Sequence, residues 1–197
     1  MKKKMNLPNK ITVLRMIIVL IIIALALLPE GKEYGFWVLN YDYRMISILV
    51  LFIIGAYSDH LDGHLARKHN LVTTFGKFMD PIADKLLVNS LFIILTGMGR
   101  IHWLVTAIMV SRDIIVDVIR LIMVERGTVI AASIWGKLKT VAQMIALIAV
   151  LALPATNGHW VNIATDVLTY IAAFISLMSG FDYFWKNRKV LLEDALS

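Results

Sequence analysis

Six membrane-spanning α-helices, with no other class of structure, are expected of this chain. Of its 197 residues 59% are hydrophobic, and the mean hydropathy is +0.75. Ordinary soluble domains hold ~45–50% apolar residues, so a single globular core cannot absorb the excess. The apolar residues fall into six runs, and about 20 such residues span a bilayer. Lysine and arginine gather on alternate connections between the runs, as they do on the cytoplasmic side of membrane proteins.

The first run, Ile11–Leu28, follows the basic "MKKKMNLPNK". It is too long for a cleaved signal and lacks a small-residue cleavage site, so it reads as a span. The second and third runs, Met45–Tyr57 and Leu86–Met98, are short by themselves. They reach spanning length only if helix continues to about Ala66 and reaches back to about Gly76, which puts the aspartates between them on helix ends. The fourth, Trp103–Val124, carries charges within it. The fifth and sixth, Ile134–Leu153 and Trp160–Trp185, are apolar over most of their length.

With the N-terminus inside, the outer connections are Pro29–Tyr43, Gly97–His102 and Pro154–His159. They hold only Lys32 and Arg100, with Arg44 at a border. The inner segments hold Lys2, Lys3, Lys4, Lys10, Arg67, Lys68, Lys77, Arg126, Lys137, Lys139, Lys186, Arg188 and Lys189. Both termini are therefore expected in the cytoplasm. No repeat, linker or low-complexity tract divides the chain, so residues 1–197 are expected to form one domain. The net charge of +6 suits anionic lipids or phosphorylated substrates. The absence of cysteine excludes disulfides, thiolate metal sites and cysteine nucleophiles. Trp37, Trp103 and Trp160 read as interfacial anchors.

Four carboxylates stand at the edge of the second and third runs. Asp59 and Asp62 lie about 60° apart on one helix face, and Asp80 and Asp84 about 40° apart on another. Gly63 and Ala66 continue the first stripe, while Gly76 and Ala83 flank the second pair, so a bulky ligand could approach either backbone. Uncompensated carboxylates near hydrocarbon are costly unless paired or bound to metal. Arg67, Lys77 and Lys85 could pair with some of them, and a proton- or cation-carrying role is the competing reading. An oxygen-only donor set favours Mg²⁺ or Mn²⁺, and two such ions ~4 Å apart are the usual clamp for displacement at phosphorus. His60 and His64 have the spacing of a zinc pair but lie roughly 100° or more off the Asp59 stripe, with no third nitrogen or sulfur ligand. Pro81 would either start the third helix or kink it.

The stretch "DHLDGHLARKHNLVTTFGKFMDPIAD" resembles the signature of the CDP-alcohol phosphatidyltransferases, D-x2-D-G-x2-A-R-x8-G-x3-D-x3-D, and matches all eight specified residues. "NLPNKITVLR", "DPIADKLLV", "GKLKT" and "SGFDYF" look like the bacterial branch of that family that uses glycerol 3-phosphate. The resemblance implies six transmembrane helices around a cytoplasm-facing polar active-site cavity, a homodimer, and a bacterial inner-membrane location. It implies transfer of a phosphatidyl group from CDP-diacylglycerol to glycerol 3-phosphate, with release of CMP. It further implies that Asp59, Asp62, Asp80 and Asp84 hold two Mg²⁺ (or Mn²⁺) ions, and that Asp84 is also the general base. Asn9, Thr12, Gly63, Ala66, Arg67, Thr73 and Gly76 are the implied CDP-diacylglycerol contacts.

For the acceptor phosphate the resemblance implies Arg112, Arg120, Lys137 and Lys139. Arg112 and Arg120 belong to "SRDIIVDVIR" in the fourth run. There Asp113, Asp117 and Arg120 share a stripe, so an ion pair within the helix is the competing explanation. Lys137 and Lys139 lie ~200° apart on an ideal helix, so only one is expected to reach the ligand. A sibling transferase acting on inositol phosphate or phosphatidylglycerol is the nearest alternative. An ion transporter is the alternative from another class, and it predicts inverted halves with broken helices, which the sequence lacks.

Overall fold

The computed structural model describes residues 6–29, 37–38, 41–68, 74–127, 133–153 and 159–196. Within these, the side chains of residues 7–8, 37–38, 41, 59–68, 74–75, 77–78, 159 and 189–196 are outside the description. Six helices follow one another: α1 Leu7–Ala26, α2 Tyr43–Lys68, α3 Thr74–Gly97, α4 Trp103–Glu125, α5 Ile134–Ala152 and α6 His159–Leu196. Between α1 and α2 lies a small antiparallel ribbon, β1 Trp37–Val38 and β2 Tyr41–Asp42, in the register Trp37↔Asp42 and Val38↔Tyr41. The ribbon is an addition to the expected all-α fold. The chain forms two compact units, Met1–Leu95 and Thr96–Ser197.

Helix α2 does run through the aspartate-bearing stretch, to Lys68, and α3 begins at Thr74, ahead of Asp80. Pro81 is therefore inside α3 rather than at its start. Lacking an N–H, it leaves the carbonyl of Lys77 without its helical donor, one turn below Asp80. In the first unit α1 packs on α2. Its buried stripe is Thr12, Arg15, Ile18, Val19 and Ile22, while Leu14, Ile17, Leu20 and Ile21 on the other faces are exposed. Helices α2 and α3 approach closely at Gly55, where a Cβ would lie 2.8 Å from Leu87 Cδ2.

In the second unit α6 packs against both α4 and α5. Ala172, Ser176 and Gly180 recur every fourth residue on α6, the small-residue spacing that lets membrane helices come close. The N-cap hydroxyl of Ser133 accepts from the Gly136 N–H at 3.1 Å and starts α5. Gly127, at φ 72°, stops α4 in the left-handed conformation that glycine adopts without strain.

Large apolar side chains cover the outside of the helices, and several polar and charged ones are buried within. Leu27, Ile134, Trp160 and Phe174 are largely exposed, whereas Arg15, Asp113, Lys139 and Gln143 are buried. Exposed apolar faces on every long helix need a lipid solvent. Among the described residues, three helices contain segments long and apolar enough to cross a membrane: Asn9–Ala26, Ile134–Ala152 and Trp160–Arg188. The apolar run of α4 is interrupted by Arg112, Asp113, Asp117 and Arg120, and the apolar part of α2 stops at Ser58.

Two arginines on connections expected to be outside have structural employment. Arg44 pairs with Asp42 at 2.6 Å and donates to the Leu28 carbonyl just past the end of α1. Arg100 donates to the carbonyls of Val150 at 2.9 Å and Leu153 at 2.8 Å, the unsatisfied end of α5. Burial lowers the Arg100 pKa from its usual value, and the two carbonyls offset that desolvation. Arg100→Ala is expected to cost about 1–3 kcal/mol of stability, read as a lower unfolding midpoint in detergent. An unchanged midpoint would show that water replaces the clamp.

Candidate active site

An acidic cluster in the first unit is built on α2 and α3. From the close approach at Gly55 and Leu87, positions 59 and 62 follow one and two turns along α2. Positions 84 and 80 precede by one and two turns along α3. Each lies within about 60° of the stripe that makes the contact. The two acidic pairs thus fall on the stripes that lead away from the point where the helices touch. The Asp80 and Asp84 side chains are half-buried. Those of Asp59, Asp62, Gly63, Ala66 and Arg67 are outside the description, as are His60 and His64, and Thr73 lies outside the described residues altogether.

Helix α1 closes on this acidic face. The fully buried Thr12 donates its hydroxyl to Asp80 Oδ1 at 2.5 Å. Thr12, expected at the nucleotide, is therefore engaged by a carboxylate. Asn9 is half-buried one turn earlier, and Gly76 is buried at the start of α3. Arg15, three residues after Thr12 on the same stripe, has no exposed surface, and its Nε finds no hydrogen-bond partner among the described residues. Arg15 ends the quoted "NLPNKITVLR", and a single arginine in a spanning run is itself a functional flag. Ionised carboxylates supply only oxygen acceptors, and a donor already fixes one oxygen of Asp80. Such a face fits a hard divalent cation, for which carboxylate oxygens are the natural ligands.

A basic cluster lies in the second unit. Lys139 on α5 donates to Asp113 Oδ1 at 2.6 Å, and Arg112 reaches the same oxygen at 3.1 Å. Arg112 also donates to Ser179 on α6. Arg120 donates to the Tyr183 hydroxyl at 2.8 Å, and its guanidinium lies over that ring, 5.2 Å from the centroid. Lys139 is buried while Lys137 is exposed, so their ~200° separation puts only Lys139 in the cluster. Asp113 pairs across helices with Lys139 and with its neighbour Arg112, a different pairing from the competing one along its own stripe. Two positive charges meet one carboxylate that is only 4% exposed, and the buried Nε of Arg112 has no partner among the described residues. The cluster is suited to an anion with several acceptor oxygens. Ser179 and Tyr183 lie in the quoted "SGFDYF", yet only the packing of α6 on α4 gives them a place here.

Residues 5–179 match the profile of the CDP-alcohol phosphatidyltransferase family, described under that name. A Bacillus subtilis protein named CDP-diacylglycerol–glycerol-3-phosphate 3-phosphatidyltransferase is 38% identical over 190 residues, covering 94% of this chain and 97% of its own. Proteins of the same name from Haemophilus influenzae and Rickettsia typhi are 35% and 34% identical. They cover 97% and 91% of this chain, and 98% and 95% of their own.

Proposed function

The chain belongs to the CDP-alcohol phosphatidyltransferase family, and from that premise we propose that it is a membrane enzyme making phosphatidylglycerophosphate. It transfers the phosphatidyl group of CDP-diacylglycerol to glycerol 3-phosphate and releases CMP. The observation that carries the choice of acceptor is the buried cluster of Arg112, Asp113 and Lys139, with Arg120 beside it. A phosphate carries nearly two negative charges, and in a low-dielectric setting it needs fixed cations more than a neutral alcohol does. Relatives bearing the transferase name match over more than nine-tenths of the chain and support the same acceptor.

Members of this family use divalent cations. In our reading Asp59, Asp62, Asp80 and Asp84 hold two Mg²⁺ or Mn²⁺ ions, which when bound neutralise the diphosphate and stabilise the departing phosphate of CMP. Arg67 adds a permanent charge for the diphosphate. Gly63, Ala66 and Gly76 leave the helix backbones open to the nucleotide, alongside Asn9 and Thr73. Asp84 takes the proton of the acceptor hydroxyl as its oxygen attacks the diacylglycerol-linked phosphorus. The phosphorus–oxygen bond to the nucleotide breaks, and CMP leaves with the electron pair. Arg112, Arg120 and Lys139 orient the acceptor through its phosphate.

The same reading gives six membrane crossings, a polar cavity open to the cytoplasm, both termini on that side of a bacterial inner membrane, and a homodimer. The lysine and arginine bias supports the orientation.

Thr12 acts through Asp80, holding one carboxylate oxygen so that the other faces the ion. Loss of such an outer partner costs ~10–100-fold in metal affinity. Thr12→Val is therefore expected to raise the half-saturating Mg²⁺ concentration about 10-fold, with Thr12→Ser near normal. Calorimetric titration of Mn²⁺ into each variant reads the same shift without turnover, and equal affinities would remove Thr12 from this role.

The reading as a whole is tested by incubating the purified protein with CDP-diacylglycerol, Mg²⁺ and labelled glycerol 3-phosphate. The label should move into an organic-soluble phospholipid with one CMP released per transfer. CMP release without transfer would mark a hydrolase.

A further inference from the structure

We propose that Tyr183 is a positioning residue for the acceptor phosphate, fixing the two α4 arginines as a pair; the proposal rests on the acceptor reading above. Arg112 and Arg120 are eight residues apart, ~12 Å along the helix axis. Long, flexible side chains at that separation can reach one ligand, and a group between them that holds both reduces the freedom lost on binding. Tyr183 is placed to do so. Its hydroxyl accepts from Arg120 Nη2 at 2.8 Å. Its ring centroid is 5.2 Å from the Arg120 guanidinium carbon and 5.9 Å from that of Arg112. Both distances are within the ~6 Å reach of a cation over an aromatic face.

The ring is 2% exposed, so Tyr183 is not the lipid-interface anchor that a tyrosine near a helix end usually is. One turn earlier on α6, Ser179 accepts from Arg112. Between them Gly180 makes room, since a Cβ there would stand 3.1 Å from Arg112 Cγ. The α6 segment Ser179–Tyr183 is thus shaped around both arginines. Three oxygens or ring faces restrain the guanidiniums, while Arg112 Nε stays available as a buried donor. Tyr183 also lies beyond residue 179, where the match to the family profile ends.

The test is steady-state kinetics of the full-length protein in detergent or lipid, with each substrate varied in turn. Tyr183→Phe keeps the ring and removes the hydroxyl. It is expected to raise KM for glycerol 3-phosphate ~5-fold, the worth of one ordinary hydrogen bond, with kcat and KM for CDP-diacylglycerol unchanged. In an Arg120→Ala background the same change is expected to add nothing, because its effect runs through Arg120. Ser179→Ala is the second arm and should raise the same KM, with no further effect in Arg112→Ala. If Arg120→Ala raises KM for glycerol 3-phosphate but Tyr183→Phe does not, the proposal fails and the acceptor reading stands. A Tyr183→Phe effect that adds in full to Arg120→Ala, or that raises both KM values alike, also overturns it. If neither arginine variant alters that KM, both the proposal and the acceptor reading fall.

Discussion

Asp80→Asn reduces turnover to background, at least ~10³-fold or ~4 kcal/mol of transition-state stabilisation, while the protein still folds. The substitution keeps the shape and the acceptor for Thr12 but removes a charge from the proposed metal shell, and with it the clamp on the departing phosphate. Asp59→Asn and Asp62→Asn give the same loss. His60→Ala and His64→Ala keep most activity, because neither is on the acidic stripe. These variants are compared by CMP release at saturating substrates, with folding followed by size-exclusion profile and unfolding midpoint. A His60→Ala protein as inactive as Asp80→Asn would mean that the metal shell has been assigned to the wrong residues.

Arg112→Ala and Arg120→Ala each raise the KM for glycerol 3-phosphate at least ~10-fold, equivalent to ~1.4 kcal/mol. The KM for CDP-diacylglycerol changes much less, since Arg67 and the carboxylate-bound ions hold that substrate in our reading. Arg112 carries the additional burden of its partners. Its loss removes the donor to Ser179 and one of the two cations that Asp113 meets, leaving Lys139. Some loss of stability is therefore expected for Arg112→Ala, and less for Arg120→Ala, whose side chain is exposed. Kinetics at a temperature well below each midpoint separates the two effects. If both variants kept the KM and lost only folded protein, the arginines would be structural partners of the α4 aspartates.

The helical extent of the aspartate-bearing stretches was legible because two independent constraints agree. The apolar runs before Ser58 and after Leu86 are too short to cross a bilayer alone, so helix had to extend through the aspartates, and α2 and α3 do so. Helical arithmetic then put each pair on one stripe. The basic cluster was legible in composition but not in pairing. Arithmetic along α4 finds only neighbours three and four residues away, whereas the partner of Asp113 is Lys139, 26 residues on. The choice between Lys137 and Lys139 likewise needed the packing of α5.

Three features are not set by hydrophobic periodicity. The ribbon has only two residues per strand, too few for an alternating pattern. Helix α6 continues to Leu196, well past the apolar run that ends at Trp185, because "KNRKVLLEDAL" contains good helix formers and no glycine or proline to stop it. Tyr183 lies in the quoted "SGFDYF" near the end of the sixth apolar run, with no periodicity that singles it out. Its burial beneath two arginines depends on how α6 meets α4, which no local pattern encodes.

The central claim is the pairing of a CDP-diacylglycerol donor with a phosphate-bearing, water-soluble acceptor. It is tested most directly by competition in one reaction. Purified protein is given CDP-diacylglycerol, Mg²⁺ and equal concentrations of glycerol 3-phosphate, inositol 1-phosphate, serine and phosphatidylglycerol, and the lipid products are resolved by mass spectrometry. Phosphatidylglycerophosphate as the dominant product, with matching CMP and none in excess chelator, is the result predicted. Phosphatidylinositol phosphate, phosphatidylserine or cardiolipin as the dominant lipid, or undiminished transfer in chelator, would contradict it.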